Sequence, residues 1–300
     1  MIQNIKIITL FLCMTALTGC IKDGEIPCPE GTIQIHFFAE KFQNKSQNPL
    51  DEREEKFCDR IGHIRYYLYK NGELQEKRIV ENFSDVESNC YSLKYTGLEY
   101  GDYELVIVSN CTKEALSGDP VKASNLLLTY PGGPNTEDFF TAVFPFTVNS
   151  NESKEYEVGL LRAQGVVRYT FANMPSNITG VGIRLTNVGN EKWITGDYSN
   201  MCEATHHYTT LQTRQASNYG YVIGTFPTIP AERSAYYLSL YRDGSDTPYT
   251  TQMIVDTLSV IRNQLIDITT SFGEGGEITY EITLDNEWDG SILGGEVEVQ

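Results

Sequence analysis

The sequence predicts an all-β protein made of two Greek-key β-sandwich domains. Three observations carry this reading. Apolar residues recur at every second position rather than every 3.6, as half-buried strands require. The apolar runs are short and punctuated by Gly, Asn and Asp, residues that turn a chain between strands. A strand–turn–strand pattern also recurs: "YSLKYTGLEYGDYELVIV" is echoed roughly 130 residues later by "YVIGTFPTIPAERSAYYLSLY", each closing on a Tyr-led apolar strand.

The first segment is not a strand. The apolar run from Ile7 to Leu17 is interrupted only by Thr9 and Thr15, follows one cation, Lys6, and meets no acid before Asp23, the layout of an export signal. As a helix it would reach about 16 Å against a hydrocarbon core of about 30 Å, too short to span a membrane. Leu17-Thr18-Gly19-Cys20 resembles the bacterial lipobox. There, small residues and a leucine fit a signal peptidase and only a thiol accepts the lipid. Residues 1–19 are thus expected to be removed and Cys20 to become the lipidated first residue. Two or three acyl chains, at about 0.8 kcal/mol per buried CH₂, hold a protein on a membrane where one does so only marginally.

The mature chain then reads as strands in sequence. In "TIQIHFFAE", Ile33, Ile35 and Phe37 share one face. "HIRYYLYKNGEL" is a hairpin turning at Asn71-Gly72, a pair suited to a tight turn with positive φ. Before and within "YELVIV", Leu98, Gly101 and Tyr103 form the L-x-x-G-x-Y pattern of a tyrosine corner, in which a phenol pins an inter-sheet connection to backbone. A single helical turn fits residues 123–128 at most. The polar "NSNESKE", residues 149–155, precedes "YEVGLLRAQGVVRYTF", which places the division between domains 20–160 and 161–300 on an extended crossing segment. "VGIRLTNV" and "YYLSLY" follow. In "EITYEITL", Ile278, Tyr280, Ile282 and Leu284 oppose Thr279, Glu281 and Thr283. The tail, residues 291–300, alternates Val297 and Val299 with Glu296 and Glu298 behind Gly294-Gly295, and it can either complete the last sheet of its own chain or swing out to pair with a neighbour.

Charge narrows the partners. The formal net charge of −17 becomes −18 once Lys6 leaves with the signal, which excludes nucleic acid and any electrostatic grip on anionic lipid. Attachment to the membrane therefore falls to the lipid. Lys22-Asp23-Gly24-Glu25 loosely resembles the acidic tags that send lipoproteins to the cell surface in some Gram-negative bacteria. Beyond Cys13 and Cys20, five cysteines remain, Cys28, Cys58, Cys90, Cys111 and Cys202, and an oxidising compartment favours bridges among them. Cys90 with Cys111 is the expected pair, on the premise that their strands turn at Tyr100-Gly101 and lie side by side; the alternative is that they face different sheets.

No constellation for catalysis stands out. Cys202 to His207, "CEATHH", gathers ligand types, but neighbouring His206 and His207 point to opposite faces of an extended chain, and a polar loop without metal is the simpler reading. "YPGGPNTED", residues 130–138, lacks the Lys-Ser/Thr of a phosphate-binding loop. There is no G-x-S-x-G elbow, and carboxylates are too numerous to single out a glycosidase pair. The chain is read as no enzyme and as needing no cofactor or metal.

"CIKDGEIPCPE", "IGHIRYYLYKNGEL", "LEYGDYELVIV" and "LLRAQGVVRYTF", in that order, resemble the FimB-type anchor and accessory subunits of Bacteroidales type V fimbriae. The resemblance implies two transthyretin-like sandwiches, lipidated at Cys20 on the outer membrane, anchoring or capping a fimbrium by β-strand addition to a stalk subunit. It also implies that an anchor keeps its own first strand, here "TIQIHFFAE", whereas stalk subunits lose theirs and open a groove for a neighbour. A surface glycan-binding lipoprotein is the alternative, with Trp193, Tyr198 and Tyr208 as its nearest aromatic candidates.

Overall fold

The computed structural model describes residues 30–39, 56–83, 86, 88–130, 138–209, 218–285 and 295–297, and their regular structure is nearly all strand. The chain begins with β1 (Glu30–Ala39), a single helical turn α1 (Phe57–Arg60), then β2 (Ile64–Lys70), β3 (Glu73–Val80), β4 (Tyr91–Glu99) and β5 (Gly101–Ser109). Two short strands follow, β6 (Leu116–Ser117) and β7 (Leu127–Thr129), on either side of a 3₁₀ turn at Ala123–Asn125. Next come β8 (Phe140–Val148), β9 (Ser153–Arg162) and β10 (Gly165–Ala172). The remainder is β11 (Ile178–Trp193), β12 (Tyr198–Thr209), β13 (Asn218–Thr225), β14 (Ser234–Arg242), β15 (Thr250–Leu258), β16 (Leu265–Phe272), β17 (Ile278–Asp285) and β18 (Gly295–Val297). The all-β class predicted from the two-residue period is the class observed.

The first sheet has seven strands in the order β3-β2-β5-β8-β9-β1-β4. Its middle link is narrow: β8 and β9 pair only through Phe140↔Arg162 and Thr141↔Leu161. The sheet folds over there into two facing layers, because Ile33, Ile35 and Phe37 of β1 and Leu160 of β9 share one core with Ile64 and Leu68 of β2, Leu105 and Ile107 of β5 and Phe146 of β8. Side chains alternate along each of these strands, so a single face of every strand supplies this core.

The second half, joined by β6 and β7, forms two sheets, β17-β16-β10-β13-β18 and β15-β14-β11-β7-β6, with β12 on the other edge of β11. Val181, Ile183 and Leu185 of β11 and Tyr236 and Leu238 of β14 meet Val167, Tyr169 and Phe171 of β10 and Ile266 and Ile268 of β16. The same apolar cluster takes in Tyr67, Tyr69, Val106 and Val108, the opposite face of β2 and β5, together with Leu126 and Leu128. The first sheet is thus buried on both faces along β2 and β5, which explains why "YELVIV" is apolar throughout rather than alternating.

Local turns follow their residues. Asn71 and Gly72 take φ of 51° and 81° between Lys70 and its partner Glu73, the left-handed pair a two-residue hairpin needs. The two echoing sequence stretches are structurally alike: β4 leads to β5 and β13 to β14, and in each case the second strand lies away from the first, beside other strands.

Candidate functional site

A protein that works through strand addition has its site in its edges and its terminal strands, since unpaired backbone N–H and C=O groups are what a partner strand reads. β1 is paired on both edges from Thr32 to Phe37. It lies inside its sheet, antiparallel to β4 from Glu30↔Glu99 to Phe37↔Tyr91 and parallel to β9 from Thr32↔Ser153 to Ala39↔Leu160. Ile33, Ile35 and Phe37 are almost completely buried, on the shared face the sequence predicts. At its start Gly31 has no room for a side chain: a Cβ there would come within 2.6 Å of Val148 Cγ1 and 2.8 Å of the Ser150 carbonyl. This close approach seats β1 against the turn between β8 and β9.

The connection from β4 to β5 is the predicted tyrosine corner. Tyr103 donates its hydroxyl to the Glu99 carbonyl at 2.9 Å, and its ring stacks on Phe146 at 5.3 Å with an interplanar angle of 9°. Burial pushes the phenol pKa up, with the Lys70 charge acting the other way. This is a device of architecture.

The chain end forms β18, which pairs antiparallel with β13 through Gly220↔Val297, Tyr221↔Glu296 and Val222↔Gly295. Of the two roles open to the tail, the described residues occupy the one within their own sheet. The contact covers three of the eight residues of β13. At the opposite edge of that sheet, β17 packs only Ile278 and Ile282 of the predicted apolar face against the core, while Tyr280 and Leu284 are 50 % and 54 % exposed. The edge strand β3, by contrast, carries Glu73, Glu76, Lys77 and Arg78, charges that discourage an incoming strand.

Leu17, Thr18, Gly19, Cys20 and Cys28 lie outside the described residues, as does the stretch 131–137. No helix among the described residues is long and apolar enough to cross a membrane. The expected Cys90–Cys111 bridge is not formed: Cys90 carries a free thiol beside Ser88, and Cys111 is buried at the end of β5. The reason lies in the topology. β4 pairs with β1 while β5 pairs with β2 and β8, so the two strands are not neighbours.

The segment 202–207 corrects the polar-loop reading, because it lies within β12, paired along β11 from Val188↔Cys202 to Gly182↔His207. Its own period of two was the signal, with Ala204 and His206 buried and Met201, Glu203 and Thr205 exposed. Burial lowers the pKa of His206. No group of three or more metal-ligating side chains occurs among the described residues. Trp193 and Tyr198 flank the turn between β11 and β12 but do not form one platform. Trp193 is 40 % exposed, whereas Tyr198 turns inward to donate to the Ala163 carbonyl at 2.5 Å and packs on Phe226. The side chain of Tyr208 is outside the description.

Comparison with known proteins gives a concordant answer. The family profile of the fimbrillin-A associated anchor proteins Mfa1 and Mfa2 matches residues 28–293. None of the curated protein sequences matches the chain. Among solved structures, a candidate adhesin from Bacteroides thetaiotaomicron superposes with a TM-score of 0.58 at 13 % identity, covering 87 % of this chain and 97 % of its own. The fimbrial anchor protein Mfa2 from Porphyromonas gingivalis superposes with a TM-score of 0.54 at 10 % identity, covering 89 % of this chain and all of its own, 100 %. A candidate polysaccharide-binding protein from B. thetaiotaomicron gives 0.57 at 11 % identity, covering 89 % and 98 %. At such identities the superpositions establish a shared fold.

Proposed function

The chain belongs to the family of fimbrillin-A associated anchor proteins, fimbrial proteins of the cell surface, and on that premise we propose that it is a lipoprotein anchoring or capping a fimbrium at the outer membrane. Cys20 carries the lipid, and Leu17, Thr18 and Gly19 direct the cleavage before it. The partner is a fimbrial stalk subunit, joined by β-strand addition, and the role is structural rather than enzymatic. The chain divides near residue 160 into two sandwich domains, with the segment 116–129 lent by the first to the sheet around β11.

One observation carries the reading: β1 is hydrogen-bonded on both sides and its apolar face is the centre of the first core. Replacing it with a partner's strand would require breaking two ladders and emptying a packed interior, so this first domain is suited to end a chain of subunits. That supports an anchor or cap over a mid-stalk position. The deciding experiment is Cys20→Ala in a fimbriated strain. The wild-type chain should remain with membranes after a carbonate wash and retain fimbriae on the cell, whereas the variant should be washed off and its fimbriae shed into the medium. A variant that still sediments with membranes would overturn the lipid attachment.

A further inference from the structure

Arg262 is exposed at the turn between β15 and β16 and makes no hydrogen bond or ion pair with any described residue. It borders a cleft of about 520 Å³ between the face of β5 and β8 and the turn joining β11 to β12. That volume is within the ~300–1,000 Å³ range of small-molecule sites.

A second cation lines the same cleft. Lys192 Nζ donates to the carbonyls of Trp193 at 3.2 Å and Gly196 at 3.0 Å, and it sits over the Tyr198 ring at 5.3 Å. The three contacts fix the ammonium in place, and its two carbonyl bonds leave a third N–H available. Burial pushes the Lys192 pKa down, the nearby charge of Arg262 pushes it further, and Asp197 opposes them. Two cations close enough to repel each other form a site that gains from an anion. Arg162, also on the wall, is engaged with Asp138 and Asn263.

The remaining wall says which anion. Glu104 and Asp197 bring negative charge into the cleft, which disfavours a dianionic phosphate, while Thr141 and Thr195 add hydroxyls and Val143 and Ile194 an apolar floor. A ligand with one carboxylate and several hydroxyls suits all of these. We propose that the cleft binds a carboxylated monosaccharide, with Arg262 and Lys192 taking the carboxylate and Glu104 and Asp197 accepting its hydroxyls. The guanidinium fork matches a carboxylate with two N–H donors, and the lysine supplies a point charge.

Titration calorimetry on the detergent-solubilised full chain tests this with glucuronate, glucose and acetate as probes. Glucuronate should bind at least ten-fold more tightly than either glucose or acetate, and Arg262→Gln should lower its affinity at least ten-fold. Because Arg262 is exposed, the variant's melting curve should match that of the wild type. Glucuronate binding no more tightly than acetate would reduce the cleft to an adventitious anion hole and overturn the proposal. So would an unchanged affinity in Arg262→Gln, and the wild-type comparison among the three probes decides even if the variant misfolds.

Discussion

Arg162 grips Asp138 in a two-pronged contact, Nε to Oδ1 and Nη2 to Oδ2, each 2.7 Å, with the arginine side chain only 1 % exposed. The third donor position, Nη1, reaches Asn263 Oδ1 at 3.0 Å, and the guanidinium lies over the Phe140 ring at 5.4 Å. Arg162 ends β9, Asp138 precedes β8, and Asn263 lies in the turn before β16, so one side chain ties the first sheet to the second half of the chain. The neighbouring backbone adds to the junction. Gln164 receives the Phe139 N–H through Oε1 at 3.0 Å and the Asn263 N–H through its carbonyl at 2.8 Å.

Removing one partner of this pair should cost far more than removing both. Asp138→Ala strands a buried guanidinium, and the expected loss is about 3–5 kcal/mol. Replacing Arg162 and Asp138 together with Met and Leu should cost much less, since no uncompensated charge remains. Urea denaturation of the single and double variants measures both, and equal losses would show that the charge is not what the junction depends on.

Tyr103→Phe removes only the hydroxyl that holds the Glu99 carbonyl and keeps the ring on Phe146. The loss should be about 0.5–1.5 kcal/mol, the net contribution of one hydrogen bond. Tyr103→Ala should cost several-fold more by also emptying the stacked site, at about 3–5 kcal/mol for a large aromatic. Chemical denaturation of the two variants separates the bond from the packing.

The parts of the fold differ in how far they could be read from sequence. The tyrosine corner and the Asn71-Gly72 turn were legible because each depends on residues a few positions apart, and so was the buried face of Ile33, Ile35 and Phe37. The parallel partnership of β1 with β9 was not, because it joins residues more than a hundred positions apart and nothing local specifies it. The same blindness produced the expected Cys90–Cys111 bridge, which assumed that consecutive strands are neighbours. The stretch 202–207 reads as a loop because its residues are polar, although its alternation is that of a strand. The cleft beside Arg262 draws its walls from five separate stretches of sequence, and only the fold assembles them.

His206 gives the fold a pH dependence of known sign. Burial in β12 against the second core holds its pKa below the ordinary value of 6.5, so the unfolded chain takes up the proton first as pH falls. Stability from this group is therefore complete above about pH 7 and declines as pH drops through 6.5 toward the lower folded value. The slope reaches at most about 1.4 kcal/mol per pH unit for one proton. His206→Phe should flatten the fall between pH 7 and the folded pKa, measured by urea midpoints at several pH values. An identical slope in the variant would mean that His206 is not the titrating group.

The tail offers the last test. β18 pairs three residues with β13, and a contact of that size is held by a few backbone bonds at about 1 kcal/mol each. Removing residues 291–300 exposes the edge of β13 and, if the strand serves its own sheet, should lower the melting temperature by several degrees. The expectation follows from about 2–4 °C per kcal/mol for a chain of this size. Val297→Pro is the finer probe, since it deletes one N–H and constrains φ while leaving the rest of the tail in place. A tail that instead serves as a donor to a stalk subunit predicts the opposite pattern, an unchanged melting temperature with fimbriae no longer retained on the cell. The pairing with β13 favours the first outcome. Loss of both properties in the truncated chain, with only retention lost in Val297→Pro, would show that one short strand closes the sheet in the free protein and leaves it on assembly.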